Sequence, residues 1–304
     1  MIGLGPLHIK ARREVVWGLI FISPGIVYFL IFWIAPVLMT LSQSVWRWRA
    51  GRMTDFLGLR NYEFLITDPL FLNSLRATAG ITLGALVFGT LIAFGLALLL
   101  NDKSLRGTRW FRLFIFLPVV TDWVATGLVW QLIFLPHQGV LPSLFHGLGL
   151  SDTVLPTLRW TATRELAPIS IIVFIIWKTA GLYTVIFLAG MQSIPSDLIE
   201  AARADGAGGS QVIRYVIVPL MSPITAFVIL IGFVSAVGLF EPVFMLTGGG
   251  PAEATKTLPL FIHETFFRFR DEGYGSAAAI LFLLMTLTFA LVAARQIRMT
   301  AYED

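Results

Sequence analysis

Long apolar runs alternate with short polar stretches along this chain, and six runs reach the length of a membrane crossing: residues 15–41, 77–100, 113–135, 167–190, 216–240 and 277–294. A bilayer core about 30 Å thick needs about 20 mostly apolar helical residues, so each run predicts one transmembrane helix. The pattern predicts an all-α integral membrane protein, with one six-helix domain over 15–294 and polar tails at 1–14 and 295–304. Pro24 and Pro36 interrupt the first run, which is still longer than the apolar region of a signal peptide. Proline is tolerated in such helices because neighbours re-satisfy the freed backbone groups.

The polar stretch at 191–215 has a pattern of its own. Pro195 and Ser196 break the preceding run, Asp197 with Glu200 reads as a capping box, and a short helix is expected from about Leu198 until Gly206 ends it. A second short helix from about Ser210 carries Val212, Ile213, Val216 and Ile217, with a bend at Pro219. The expectation is a helix-turn-helix between the fourth and fifth spans.

Charge sets the orientation. The connection from Asn101 to Arg112 holds Lys103, Arg106, Arg109 and Arg112 against Asp102 alone, and basic connections stay cytoplasmic. Both tails and 191–215 then face the cytoplasm, with eleven basic residues on 61 cytoplasmic positions and ten on 102 external ones. The remaining one, Lys178, falls inside a span.

Composition fits this picture: 57% of the 304 residues are hydrophobic, 13% are charged, and mean hydropathy is +0.81. With no cysteine there is no disulfide, thiolate metal site or cysteine nucleophile. His8, His137, His146 and His263 lack zinc-ligand spacing, so no metal is expected. The basic residues flank spans and do not gather on one face, which argues against nucleic acid despite a pI near 9.6.

Ionised groups within spans are costly and mark candidate functional sites. Asp122 and Lys178 fall near mid-depth of the third and fourth runs, so they are expected to pair or to line a shared pathway. A pocket for a polar, ring-bearing solute needs aromatic faces beside hydroxyl, amide or carboxyl groups, for which Trp130, Gln131, Trp177, Tyr183, Ser235 and Glu241 are candidates. The segment from Gly248 to Thr257 mimics part of a phosphate loop, but Thr255 stands where the second glycine belongs and no strand precedes it. The chain is expected to carry no ATPase of its own.

Glu200-Ala201-Ala202, Asp205-Gly206-Ala207 and Val218-Pro219 resemble the EAA loop by which ABC importer permeases dock on their ATPase. Leu246-Thr247-Gly248-Gly249-Gly250-Pro251, Gly273-Tyr274-Gly275-Ser276-Ala277, Phe116-Leu117-Pro118, Trp177-Lys178 and Leu188-Ala189-Gly190 are similar to the first permease of carbohydrate-uptake ABC importers of the maltose and glycerol-phosphate type. The resemblance implies a type I importer permease core in a prokaryotic plasma membrane. It also implies a second, homologous permease, two ATPase copies that bind ATP and Mg, and an external solute-binding protein. The solute would be a sugar or oligosaccharide, with glycerol phosphate or another polar anion as the alternative. Glu200, Ala201, Ala202, Asp205, Gly206 and Ala207 take the docking role by that resemblance. An ion-coupled secondary transporter using Asp122 and Lys178 is a further reading, although no related halves are found.

Overall fold

The computed structural model describes residues 7–102, 107–135, 139–149 and 160–300. Lys103, Arg106, His137 and the last four residues lie outside the described residues. The helices are α1 Leu7–Phe29, α2 Ala35–Ser44, α3 Arg60–Thr67, α4 Pro69–Asn101, α5 Thr108–Val120, α6 Trp123–Phe134, α7 Val140–Gly147, α8 Leu166–Gln192, α9 Ser196–Ala204, α10 Gly209–Val212, α11 Val218–Leu220, α12 Ser222–Val237, α13 Glu241–Leu246, α14 Leu258–His263 and α15 Glu272–Thr300. Among the described residues four helices are long and apolar enough to cross a membrane, and six if each of two bent pairs is one span.

The chain divides into two compact units. One comprises the residues up to Leu65 with Thr265–Ile280. In it α1 continues through a π turn, Leu30–Ile34, into α2, and from Val15 to Leu41 its large apolar side chains are exposed. A lipid environment explains this, since acyl chains are as apolar as the side chains and exert no drive to bury them. The stretch from residue 42, expected as a polar loop, folds further: β1 (Trp46–Arg49) and β2 (Arg52–Phe56) form an antiparallel hairpin, followed by α3. Buried Asn61 fastens α3 below the hairpin, donating to the carbonyls of Ser44 at 2.8 Å and Trp46 at 3.2 Å. At Gly273 a Cβ would press into the Trp46 carbonyl, so only glycine lets α15 approach β1.

The other unit comprises Ile66–Glu264 with residues from Leu281 onward. Its centre is α4 against α8. Asp68 caps α4 by accepting from Leu70 N–H at 2.8 Å, so the helix begins two turns before the expected residue 77. Those turns hold the segment that follows α13: Asn73 donates to the Glu253 carbonyl at 2.8 Å, and Thr78 Oγ1 accepts from Leu258 N–H at 2.7 Å. Two buried clusters fill the unit, one around Ile81, Phe134, Ile171, Phe174 and Val243, the other around Ala93, Phe187, Met191, Val212, Met221 and Val228.

The glycine-rich turn from Gly248 closes on itself through its own side chains. Thr255 Oγ1 donates to the Gly250 carbonyl at 2.7 Å, and Lys256 is held by Glu253 at 2.9 Å and Glu264 at 3.0 Å. Burial lowers the Lys256 pKa, but the two carboxylates outweigh it and hold the ammonium above its ordinary value. Its folded pKa being raised, this contribution to stability is complete at neutral pH and is lost only as pH climbs through that raised value.

Two expected spans are bent. The third consists of α5 and α6 at 105° to one another, and the fifth bends by 65° between Gly209–Leu220 and Ser222–Val237. Polar caps and prolines account for both: Asp122 starts α6 and Pro223 opens α12. Close helix approach constrains α8 as well, because a Cβ at Gly181 would strike the Ile115 carbonyl of α5 and lie 3.0 Å from Val119. Gly181→Ala is therefore expected to destabilise the protein by about 1–3 kcal/mol, read as a lowered midpoint of thermal unfolding in detergent.

Candidate functional site

Two features stand out, one at the break between α5 and α6 and one at α9. Breaking a helix within a span frees carbonyls at the end of the first half and N–H groups at the start of the second. Lys178 serves the carbonyl side. Its Nζ donates to the Pro118 carbonyl at 2.7 Å, to Thr121 Oγ1 at 2.8 Å and to the Thr121 carbonyl. An ammonium has three donors, so all are engaged. Asp122 serves the other side, its Oδ1 accepting from Val124 N–H and Ala125 N–H at 2.9 Å each.

This corrects the expectation for the two residues. Asp122 is not a charge in the middle of a continuous helix but the N-cap of α6, and no ion pair joins it to Lys178 among the described residues. They meet at the same break, each satisfying one half-helix.

Beside the break lies a cavity of about 240 Å³ lined by Val119, Trp123, Lys178, Thr179, Leu182, Tyr183, Ser235 and Leu239. Lys178, Tyr183 and Ser235 are thus brought together, while Asp122, Trp177 and Glu241 are not among its lining residues. Trp177 instead packs on Trp130 at 5.3 Å and near Phe174 at 6.3 Å, inside an aromatic cluster, and Glu241 opens the first turn of α13. Trp123 was missed from sequence, yet it walls the cavity and lies 5.3 Å from the Lys178 ammonium. Position 232 must be small here, because a Cβ on Gly232 would fall 2.7 Å from Leu86 and 3.1 Å from the Tyr183 hydroxyl.

At α9 the expected capping box is absent. Pro195 occupies the N-cap and offers no side-chain acceptor, so Asp197 and Glu200 remain exposed. Asp197 still lies in the first turn, where the positive end of the helix favours a carboxylate. The end of the helix is more tightly specified. Gly206 takes φ +87°, its N–H donates to the Arg203 carbonyl at 3.0 Å, and Ala207 N–H reaches back to the Ala202 carbonyl at 3.0 Å. These two bonds form a Schellman turn, which needs a left-handed residue where Gly206 stands. The next helix starts at Gly209, where Gln211 Oε1 accepts the Gly208 N–H at 2.7 Å.

The loop has two faces. Ile199, Ala202 and Ala207 are half-buried against the cluster of Phe187, Met191, Val212 and Met221, while Glu200, Ala201, Asp205 and Gly206 are exposed. Tyr183 belongs to that same cluster and also lines the cavity. Contiguous packed side chains therefore run from α9 to the cavity wall.

The family described as binding-protein-dependent transport system inner membrane component matches residues 85–299. A trehalose/maltose transport system permease protein of Thermococcus litoralis is 30% identical over 285 residues, covering 92% of this chain and 93% of its own. The sn-glycerol-3-phosphate transport system permease protein of Agrobacterium fabrum is 32% identical over 279 residues, covering 90% of each. Among solved structures, a chain of a bacterial alginate ABC transporter, in complex with an alginate pentasaccharide-bound periplasmic protein, superposes with a TM-score of 0.80 at 22% identity, covering 97% of this chain and 98% of that one. With its membrane-length helices and the two-faced loop between α8 and α10, the chain belongs to the binding-protein-dependent transport system inner membrane components, the permease subunits of ABC importers.

Proposed function

We propose that this permease imports a sugar or oligosaccharide by alternating access, driven through α9 by partner ATPases. Its partners would be a second homologous permease, two ATPase copies that bind ATP and Mg, and an external solute-binding protein, in a prokaryotic plasma membrane with both termini cytoplasmic. The observation that carries the reading is the continuity from α9 through Phe187, Met191 and Met221 to Tyr183. Dense interiors transmit displacement, so a push on the exposed face with Glu200 and Asp205 would move the α8 and α12 walls of the cavity together. The Schellman turn at Gly206 keeps α9 from absorbing that push locally.

Two observations favour a neutral sugar over an anion. The cavity combines aromatic Trp123 and Tyr183 with the hydroxyls of Thr179 and Ser235, the pairing that suits a sugar ring and its OH groups. Lys178, the cation that would meet an anionic group, has its donors engaged by Pro118 and Thr121.

Proteoliposomes holding the full assembly test the function: uptake should require both ATP and the binding protein. Uptake that follows an imposed ion gradient without ATP would instead establish a secondary carrier. Gly206→Pro, incompatible with φ +87°, is expected to leave assembly intact and to cut solute-stimulated ATP hydrolysis at least about tenfold; normal stimulation would refute the coupling role.

The break yields a paired prediction. Lys178→Met leaves buried carbonyls without a donor, so a loss of about 1–3 kcal/mol in stability is expected together with reduced uptake. Asp122→Asn keeps a good N-cap and should preserve both. Loss of uptake in Asp122→Asn at unchanged stability would show that the carboxylate charge, and not the cap, serves the pathway.

A further inference from the structure

The stretch Trp46-Arg47-Trp48-Arg49 alternates aromatic and arginine, and Phe267-Arg268-Phe269-Arg270 repeats the alternation more than two hundred residues later. The fold sets these stretches side by side. Ala50 N–H donates to the Arg270 carbonyl at 2.8 Å, and Arg49 bridges Asp271. In the hairpin register Arg49 stands directly opposite Arg52.

Like charges directly opposite on a ladder are destabilising, so this arrangement calls for an anion. The carboxylates present, Glu272 among them with its Oε1 accepting from the Gly51 N–H at 3.0 Å, meet only part of the demand. Asp271 reaches Arg49 at 2.8 Å and Asp55 reaches Arg47 at 2.9 Å, while Arg52 and Arg270 are exposed and have no ion pair among the described residues. Met53, Phe56, Phe267 and Phe269 of the same unit are exposed as well.

Depth identifies the anion. Ser44, where α2 ends, is three residues past the apolar run, and Asp271 is six residues before the run that starts at Ala277. At about 1.5 Å per residue both ends lie some 4–9 Å outside the hydrocarbon, within or at the edge of the headgroup layer. Arginine meets phosphate with paired N–H donors, and aromatic rings sit at the same level of a membrane.

We propose that the Arg49, Arg52 and Arg270 cluster binds the phosphate of an anionic phospholipid, with Phe56, Phe267 and Phe269 seated at the boundary between headgroup and acyl chain. An acidic face of a protein partner is the competing occupant. The headgroup depth and the exposed aromatics favour the lipid.

The test uses the complete transporter reconstituted in equal phosphatidylglycerol and phosphatidylcholine, with co-purified lipids counted by native mass spectrometry. The wild type should enrich phosphatidylglycerol. Arg52→Gln with Arg270→Gln, which spares both ion pairs, should lower the enrichment roughly fivefold for each arginine removed, and the double lysine variant should retain most of it. No enrichment in the wild type, or equal enrichment in the glutamine variant, overturns the proposal. So does an unchanged lipid ratio accompanied by weaker capture of the solute-binding protein, which would assign the surface to that partner. Should the glutamine variant fail to assemble, wild-type enrichment read from about 0.1 M to about 1 M salt decides: attraction to a headgroup must fall as the screening length drops from about 10 to about 3 Å, and enrichment that persists overturns it.

Discussion

Inside a bilayer every backbone N–H and carbonyl needs a partner from the protein, and the break between α5 and α6 is where this chain meets that constraint most sharply. A turn of 105° between Val120 and Trp123 exposes the negative end of one half-helix and the positive end of the next. An ammonium from α8 and a carboxylate at the turn match those ends in sign. The cavity depends on the same solution: with the turn held open by Lys178, Trp123 and Val119 become two of its walls.

The two bent spans and the loop between α8 and α10 pack on one buried cluster. Tyr183 and Phe187 lie one turn apart on α8, and the first lines the cavity while the second is buried in the cluster on which α9 rests. Met221, fully buried at the 65° bend before α12, sits in that cluster too. The coupling proposed for α9 would therefore enter the unit at the bend of the fifth span.

Much of this architecture could be read from the sequence, because apolar runs of membrane length and glycine or proline stops are local signals. The Gly206 stop is an example: only a residue at ease in the left-handed region closes that turn. The start of the same helix could not be read in this way. Asp197 and Glu200 have capping-box spacing, but Pro195 takes the cap position itself, so chain geometry overrides the motif. The most instructive miss is Asp122. Thr121-Asp122 followed by an apolar helical stretch, three residues after Pro118, is a start signal for a new helix, but inside a run of 23 apolar-rich residues it read as a charge embedded in a span. Pairing it with Lys178 followed from depth alone, and depth does not distinguish two side chains bonded to each other from two bonded to the same broken backbone.

The arginine surface of β1 and β2 changes how the charge asymmetry of the whole chain is understood. Ten basic residues on the external side looked like a dilute version of the positive-inside rule. Six of those ten, Arg47, Arg49, Arg52, Arg60, Arg268 and Arg270, fall within the one unit built from the hairpin, α3 and the approach to α15. Four are then left across the rest of the external positions, against eleven on the shorter cytoplasmic segments. The charge bias that sets the expected orientation is thus sharper once this unit is set apart, and the unit has a local charge problem of its own, with Arg49 directly opposite Arg52 on the ladder.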